Sequence, residues 1–449
     1  MKKKYFFLLF RKKNVFLRRN LKPKTMKYQS YQIRNYKSIE GIDKLSAADR
    51  KAIEITGLVL PFKANNYITS ELINWDNIPD DPIYTLFFPR KEMLKTEHFE
   101  QVEQLVSAAA SEAQIKEATN AIRLSLNPHP AGQNLNVPSI DNIKLNGIQH
   151  KYHETVLFFP TQGQTCHGYC TFCFRWPQFS GMEVMKFAMK ETDLLVKYLK
   201  AHREATDLLF TGGDPLTMST SRIADYVDAL FVDELEHIQT IRFGSKALAS
   251  WPYRFLTDND ADDLLRLFER IVQRGKNVSI MAHFNHPVEL STSAVQKAIG
   301  RIRSTGAQIR TQSPVFKYIN DKPELWSEMW QKQVNLGCIP YYMFIARDTG
   351  AREFFELPLV DCWSIFRNAY QKVSGICRTV RGPSMSATPG KIQVLGVSEV
   401  RGEKVFSLSF LQGRNPDWVA RPFFAKYDEK ASWISDLKPA FGEEKFFFE

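Results

Sequence analysis

The stretch Cys166-His-Gly-Tyr-Cys170-Thr-Phe-Cys173 places three cysteines within eight positions, just after an apolar run at 155–159. Three thiolates at this spacing can bind three irons of a [4Fe-4S] cluster, because a short loop can wrap one face of the cube. The fourth iron would stay open to another ligand. A structural zinc site is the alternative, but it needs a fourth ligand, usually from a second close pair. We therefore expect Cys166, Cys170 and Cys173 to be metal ligands, with iron and sulfide favoured over zinc.

The other cysteines do not form a recognisable disulfide framework. The chain has 449 residues and six cysteines, and Cys338, Cys362 and Cys377 lie far apart. Isolated cysteines of this kind are most simply buried small apolar residues. The pattern fits a reducing compartment, and we expect a cytoplasmic protein.

The positive charge of the chain is concentrated at its start. The net charge is +11, but residues 1–25 hold ten Lys and Arg residues and no acid, so the rest is close to neutral. The apolar run at 5–10 is shorter than a signal-peptide core or a membrane span requires. We expect residues 1–26 to form a disordered basic leader. Two other interpretations stay open, namely that translation starts at Met26 and that the segment is a functional tail. For the body of the protein we expect neither a membrane nor a nucleic-acid partner.

Six short apolar runs alternate with amphipathic patterns in the middle of the chain. The runs cover residues 155–159, 207–210, 238–243, 277–281, 308–311 and 339–345. Between them, apolar residues recur every three or four positions, as in helices that pack one stripe against a sheet. This alternation favours a parallel α/β sheet, either an open doubly wound sheet or a partial barrel of the TIM type.

We predict a partial (β/α)6 TIM-type barrel over residues 150–380. An N-terminal helical region is expected over residues 27–149, with a long helical stretch at 97–126 that ends at the proline- and glycine-rich segment 127–134. The C-terminal segment, residues 381–449, contains strand-like runs. We expect it to form an appendage that closes the barrel.

Each of the six apolar runs ends in a polar segment. These segments are Pro160-Thr-Gln-Gly163, Thr211-Gly-Gly-Asp214, Gly244-Ser-Lys246, His283-Phe-Asn-His-Pro287, Gln312-Ser313 and Arg347-Asp348. The carboxyl ends of parallel strands meet at one edge, where functional residues gather in such folds. In the second segment, the glycines would let the backbone approach a ligand, and Asp214 could accept a hydrogen bond from an ammonium group.

The cysteine spacing and its place after the first strand resemble the radical S-adenosylmethionine superfamily. The resemblance implies that the open iron binds the amino and carboxylate groups of S-adenosylmethionine, and that reductive cleavage gives a 5'-deoxyadenosyl radical that abstracts hydrogen. A reductant such as flavodoxin or ferredoxin would supply the electron. The residues expected to seat S-adenosylmethionine are Gly212, Gly213, Asp214, Ser245, His283 and Gln312.

A closer resemblance, over residues 75–400, is to the lysine 2,3-aminomutase family. The matching pieces are Trp75-Asp-Asn-Ile-Pro-Asp-Asp-Pro82, Asn127-Pro-His-Pro130, His150-Lys-Tyr152, Gly212-Gly-Asp-Pro215, Gly244-Ser245, His283-Phe-Asn-His-Pro287, Gln312-Ser313, Pro340-Tyr-Tyr342 and Pro389-Gly-Lys391. The family uses pyridoxal phosphate together with a radical to move an amino group between adjacent carbons.

The resemblance also implies a pyridoxal phosphate site. Lys391 would be the catalytic lysine that forms an imine with the aldehyde, and the imine gives the migrating nitrogen a π system through which it can bridge two carbons. Lys151 and Tyr152 stand where the family binds the phosphate. A second family arginine, four positions further on, is Thr155 here.

The expected substrate residues depart from the pattern of the family. Lysine-specific members hold the distal ammonium of the substrate with two aspartates. This sequence has Arg347 and Ser384 at those positions, with Asp348 one residue further on. A cation cannot pair with an ammonium, so an acidic or neutral amino acid becomes a candidate substrate beside lysine.

The resemblance therefore predicts an isomerase that moves an amino group from the α to the β carbon of a small amino acid. Two alternatives stay open. One is a radical enzyme without pyridoxal phosphate that acts on another small molecule, and the other is a non-catalytic metal-binding or nucleic-acid-associated protein. Residues 412–449 contain no cysteine, so the C-terminal zinc ligands of some members are absent and a homo-oligomer is possible but unsupported by the sequence.

Overall fold

The computed structural model describes residues 25–127, 134–182 and 187–449. The leader predicted over residues 1–26 lies outside this part of the chain, except for its last two residues. Within the described ranges, the centre of the molecule is a sheet of eleven strands. In those same ranges, no helix is both long and apolar enough to cross a membrane.

The N-terminal region is mostly helical. It contains β1 (Ser30–Tyr31), α1 (Ala47–Val59), β2 (Ala64–Asn65), α2 (Pro82–Phe87), α3 (Thr96–Ser107), α4 (Glu112–Ser125), β3 (Ser139–Ile140) and β4 (Ile143–Lys144). The helical stretch predicted at 97–126 is two helices. Ala109 between them has a left-handed backbone, with φ 49°, which a continuing α-helix cannot accommodate. Ser111 then starts α4 by forming a capping box with Gln114.

All six predicted strands are present. The strands and helices that follow are β5 (Ile148–Tyr152), β6 (Thr155–Phe158), α5 (Thr192–Ala201), β7 (Asp207–Phe210), α6 (Thr220–Asp228), β8 (Thr240–Ser245), α7 (Ala247–Ser250), α8 (Ala261–Gln273), β9 (Asn277–His283), α9 (Ser293–Ser304), β10 (Gln308–Val315), α10 (Pro323–Asn335), β11 (Ile339–Ile345), α11 (Arg352–Phe355) and α12 (Leu359–Gln371). Strands β6 to β11 pair in parallel in chain order. The predicted α/β class with a partial barrel is thus confirmed.

The C-terminal segment extends the sheet beyond β11. It contains β12 (Arg381–Ser386), β13 (Gly390–Val400), β14 (Glu403–Gly413) and β15 (Pro422–Lys426). β12 follows α12 and adds a seventh parallel strand next to β11, whereas β13 to β15 pair antiparallel. Short connections, such as the one between β13 and β14, can only join antiparallel neighbours.

β5 and β15 lie at opposite ends of the strand order, so no ladder of backbone hydrogen bonds joins them in the described sheet. Side-chain contacts do join β5 to this segment, as between Lys151 and the carbonyl of Ala387, and closure of the barrel by the appendage stays a prediction. The boundaries drawn at residues 26, 149 and 380 stay predictions.

Alternating burial sorts the strand residues onto two faces. In β10, Ile309, Thr311, Ser313 and Val315 are buried, and the residues between them are half-buried. The helices pack on the sheet through apolar stripes. In α8 the stripe consists of Leu264, Leu265, Leu267, Phe268 and Ile271, which are buried, and Val272, which is half-buried. Because β6 to β11 are parallel, the loops after them share one edge, which we call the rim.

Candidate active site

The loop that carries the three cysteines is held in place by the N-terminal region. Lys63 Nζ donates a hydrogen bond to the carbonyl oxygen of Cys166 at 2.6 Å. The carbonyl of His167 accepts from the Tyr28 hydroxyl at 2.9 Å and from the Asn65 amide at 3.1 Å. The backbone around β2 therefore covers one side of the cysteine loop. No sequence motif indicated these contacts.

Burial makes the three thiols poor acids in the absence of a cation. It raises the pKa of Cys166 well above its ordinary value, that of Cys170 to about 12 and that of Cys173 to about 11. Lys246 beside Cys170 and Arg175 beside Cys173 act in the opposite direction. Thiolates become stable in such a place when they bind a positively charged metal centre.

The spacing of the sulfur atoms favours a cluster over a single zinc ion. In the described part of the chain, the only three His, Cys, Asp or Glu side chains whose ligand atoms all lie within 4.8 Å of one another are His150, His202 and Glu204. The three cysteine sulfurs are therefore more widely spread. Tetrahedral zinc with Zn–S bonds of about 2.3 Å would bring them to about 3.8 Å from one another. The three thiols fit an iron–sulfur cube better.

The glycines after β7 serve loop packing. A Cβ on Gly213 would lie 2.5 Å from the carbonyl oxygen of Thr165, and one on Gly212, which has φ +129°, would overlap the Gln164 side chain. The Asp214 amide donates to the same Thr165 carbonyl at 2.7 Å. The glycines thus let this segment lie directly against the chain that leads into the cysteine loop, where we had expected an approach to a ligand.

Asp214 is buried and joins two segments of the rim. Its carboxylate accepts from the Ser245 hydroxyl at 2.9 Å, from the Lys246 amide at 2.9 Å and from the Leu216 amide at 3.0 Å. Burial raises the pKa of Asp214, and these bonds partly offset that rise. In this structure Asp214 positions the loops, and the predicted contact with the ammonium of S-adenosylmethionine stays a prediction.

A buried ion pair extends the same network. Lys246 Nζ donates to Glu289 at 2.6 Å and to the Asn285 side chain at 2.7 Å, and Glu289 is fully buried. Asn285 donates in turn to the Ser313 hydroxyl at 2.7 Å. The ends of β8, β9 and β10 are therefore joined by polar side chains, as expected for residues that share one edge.

His283 and Gln312 contact each other at the ends of β9 and β10. The Gln312 side-chain amide donates to His283 Nε2 at 2.7 Å. Burial, together with Lys246 and Arg175, lowers the pKa of His283 to about 3. His283 is therefore a neutral acceptor. Both residues stay predictions as parts of the S-adenosylmethionine site.

Lys391 extends from β13 into an aromatic cage. Its Nζ lies 4.1 Å from the centre of the Tyr342 ring, 5.5 Å from that of Phe344 and 5.9 Å from that of Tyr152. It donates to Gln412 Oε1 at 3.1 Å. Burial lowers the pKa of Lys391 well below its ordinary value, and the charges of Arg242, Arg381 and Lys151 lower it further. A neutral amine is the form that attacks a carbonyl.

A group of cations lies beside Lys391. The Lys151 ammonium donates to the carbonyl of Ala387, and burial, with Arg414 and Arg347, lowers the pKa of Lys151 to about 7. Arg414 is held by the Thr388 carbonyl at 2.8 Å and by the Asn136 side chain at 2.5 Å. Arg414 was not predicted, because it comes from the end of β14 and matches no motif.

A cavity of about 290 Å³ adjoins the cage and is lined by Tyr152, Tyr342, Arg381 and Gln412, among others. Together, the cavity, the neutral amine and the cations fit an aldehyde that carries a phosphate.

Two arginines lie near the cysteine loop. The guanidinium groups of Arg347 and Arg175 lie 5.3 Å and 4.9 Å from the centre of the Phe174 ring. Arg347 Nη1 donates to the carbonyl of Ser386 at 2.7 Å, but its buried Nε has no hydrogen-bond partner and lies 3.8 Å from Asp348. No carboxylate in the described part of the chain forms an ion pair with Arg175, and burial lowers its pKa to about 10. Arg175, two positions after the last cysteine, was missed in the sequence.

Ser384 is a weaker candidate than the sequence indicated. It is fully buried in β12, and its hydroxyl donates to the carbonyl of Met343 at 3.4 Å. Its predicted contact with substrate stays untested.

The fold and the site together define a class of protein. A three-cysteine loop after the first parallel strand of an incomplete α/β barrel, next to a glycine-rich segment after the second strand, is the arrangement of the radical S-adenosylmethionine enzymes.

Relatives of known name agree with this class. The chain is 30% identical over 405 residues to a protein of Aquifex aeolicus named putative L-lysine 2,3-aminomutase, covering 90% of this chain and 95% of that protein. It is 26% identical over 314 residues to the L-lysine 2,3-aminomutase of Methanococcus maripaludis, covering 70% of this chain and 60% of the relative. The chain belongs to the lysine 2,3-aminomutase family. No protein-family model matches it.

Solved structures of similar fold include a radical SAM methyltransferase from Sphaerobacter thermophilus. The match has a TM-score of 0.38 at 13% identity, and it covers 63% of this chain and 93% of that one.

Proposed function

We propose that this protein is a radical enzyme that uses S-adenosylmethionine and pyridoxal phosphate to move an amino group from the α to the β carbon of an amino acid. The observation that carries the proposal is the position of Lys391. Its amine lies in an aromatic cage, with Lys151 among the cations that lower its pKa and Arg414 acting on Lys151 in turn, within the barrel that carries the three-cysteine loop. A structural lysine would have little reason to be buried without a carboxylate partner.

The two cofactors would supply chemistry that side chains lack. When bound, the cluster with S-adenosylmethionine provides hydrogen-atom abstraction from carbon, and pyridoxal phosphate provides the aldehyde that holds the migrating nitrogen. Cys166, Cys170 and Cys173 would hold the cluster. A flavodoxin or ferredoxin would deliver the electron.

The chain's own residues would bind and orient these groups. Lys391 would tether pyridoxal phosphate, with Lys151, Arg414 and Tyr152 around its phosphate. Arg414 would replace the family arginine that is Thr155 here. Around the tether, the rings of Tyr342 and Phe344 exclude water from the amine, which keeps the amine neutral and protects a reactive radical from quenching.

The substrate we propose is an amino acid with an acidic side chain. Arg175 has no carboxylate partner among the described residues, and the Nε of Arg347 has no hydrogen-bond partner. Burial lowers the pKa of both arginines, and the charge of Arg347 lowers that of Arg175 further. The carboxylates of a ligand would favour the charged form of both groups. Lysine would bring a third cation to the same place, where Asp348 already lies 3.8 Å from Arg347 Nε.

The test is turnover with a panel of substrates. The reconstituted enzyme would be incubated without oxygen with S-adenosylmethionine, a reductant and glutamate, aspartate, alanine or lysine, and the products analysed by mass spectrometry. We expect β-isomers of the acidic amino acids and 5'-deoxyadenosine. Zinc in place of iron, with no 5'-deoxyadenosine, would reject the radical function.

Two variants of Arg347 test the proposed acidic substrate separately from the proposed aminomutase reaction. Arg347→Asp should reduce turnover of the acidic amino acid at least tenfold, since it replaces a cation with an anion, whereas Arg347→Lys should retain part of it. Equal turnover of glutamate by the wild type and Arg347→Asp would remove Arg347 from the substrate site. It would leave the aminomutase proposal standing.

A further inference from the structure

Three metal-ligating side chains meet at the end of the barrel where the strands begin. His150 lies on β5, His202 follows α5 directly, and Glu204 lies in the loop that leads to β7. One ligand atom of each lies within 4.8 Å of the other two. This end of the barrel is opposite to the rim, so the group is separate from the cysteine loop.

The hydrogen bonds of His150 identify Nδ1 as the ring nitrogen that could bind a metal, in exchange for the bond that it now accepts from Tyr198. Nε2 lies 3.1 Å from the backbone carbonyl of His153, and because a carbonyl can only accept, Nε2 carries the hydrogen. Nδ1 therefore holds the lone pair, and the Tyr198 hydroxyl donates to it at 2.6 Å. A metal-bound histidine commonly donates its other N–H to a carbonyl in this way, which fixes the orientation of the ring.

The second histidine and the glutamate complete a donor set. His202 Nδ1 lies 2.7 Å from Glu204 Oε1, and the two side chains are 35% and 31% exposed, so an ion from solvent can reach them. The rings of His150 and His202 are nearly perpendicular, with centres 5.4 Å apart. Tyr198 packs against His202 at 4.1 Å between ring centres.

We propose that His150, His202 and Glu204 form a zinc site. Two imidazoles and one carboxylate suit a borderline-soft divalent ion such as Zn²⁺, which binds such groups at about 2.0–2.2 Å and can take water as its fourth ligand. The ion would join the edge strand β5 to α5 and to the loop before β7. This inference does not depend on the proposed reaction.

The experiment uses enzyme in which the cluster has been rebuilt, so that the cysteines are occupied. After equilibration with Zn²⁺, iron and zinc per chain would be measured, and the affinity for Zn²⁺ determined by competition with a chelator. We expect one zinc beyond the cluster in the wild type. His202→Ala and Glu204→Gln should each weaken zinc binding more than tenfold, and His98→Ala, far from the group, should leave it unchanged.

Two further measurements test whether a loss of zinc binding results from misfolding of the variant and whether the zinc is bound by the cysteines. Zn²⁺ should raise the midpoint of thermal unfolding of the wild type but not of His202→Ala, since a ligand stabilises only the state that binds it. Co²⁺ in the same site should give visible bands without the charge-transfer band of a thiolate. The proposal is overturned if the wild type takes up no zinc beyond the cluster, or if His202→Ala and Glu204→Gln bind it as tightly as the wild type.

Discussion

The amine of Lys391, on β13, lies 4.1 Å from the centre of the Tyr342 ring, on β11. Two strands from different parts of the chain thus build one pocket for a single amine. The pocket is the reason that the pKa of Lys391 is depressed, since burial disfavours its charged form.

We predict that Lys391 is the attachment point of pyridoxal phosphate. Wild-type protein treated with pyridoxal phosphate and borohydride at pH 7 should carry the cofactor on the peptide that contains Lys391, as shown by mass spectrometry. Lys391→Arg keeps a long basic side chain but has no attacking amine, and should lose both the label and amino-acid isomerisation. It should still form 5'-deoxyadenosine. Labelling of Lys391→Arg at wild-type level would contradict the assignment.

The affinity for the phosphate should depend on the charge of Lys151. With a pKa of about 7, Lys151 is charged below that pH and neutral above it, so binding of pyridoxine phosphate should weaken as pH rises from 6.5 to 8.5. Pyridoxine phosphate is the probe because it has no aldehyde. Lys151→Met should bind about tenfold more weakly at pH 6.5.

Lys151→Arg serves as the matched control for this pH dependence. Its guanidinium stays charged throughout the range, so its binding should be nearly independent of pH. A wild-type affinity that does not change between pH 6.5 and 8.5 would mean that Lys151 does not contact the phosphate.

Each cysteine of the loop should be required for iron. Cys170→Ser should reduce the iron content of the reconstituted protein from roughly four atoms per chain to below one, because two thiolates cannot hold the cube. Cys377→Ala removes a buried thiol outside the loop and should retain full iron. The measurement is iron and sulfide per chain; undiminished iron in Cys170→Ser would exclude Cys170 as a ligand.

Gly213 should tolerate no side chain. In Gly213→Ala the new methyl group would meet the backbone of Thr165 at 2.5 Å, and we expect a loss of about 1–3 kcal/mol in the free energy of unfolding together with reduced iron uptake. Gly300→Ala, in α9 with open space around its Cβ, should stabilise the protein by up to about 1 kcal/mol. Urea unfolding of the two variants measures both effects.

Much of the fold could be read from local patterns. The six runs beginning at 155, 207, 238, 277, 308 and 339 contain β-branched or aromatic residues between helical stripes, and all six are parallel strands of one mixed sheet. The rim followed from that parallel order. The sequence of the six runs could not show how the C-terminal strands join the sheet. Their pairing depends on the hairpins between β13 and β15 and on the free edge of β12.

The candidate site likewise contains residues that the sequence predicted and residues that only the structure brings together. The cysteine loop is local, so its spacing alone identified it, and Lys391 was found through the short piece Pro389-Gly-Lys391. Arg175 and Arg414 have no local pattern, and only the structure brings them to the pockets. The bonds of Asp214 were also hidden, since two of its donors, Ser245 and Lys246, come from the end of β8, 31 and 32 residues away.

The sequence by itself thus determined the parallel strands and the family and predicted the metal ligands, because each depends on residues close together in the chain. Only the tertiary structure decided the pKa values of the site lysines. Lys151 donates to the carbonyl of Ala387, 236 residues away, and the pKa values of Lys151 and Lys391 depend on such distant neighbours and on burial. Charge interaction falls with distance through space, not along the chain, so the state of these amines exists only once the barrel has formed.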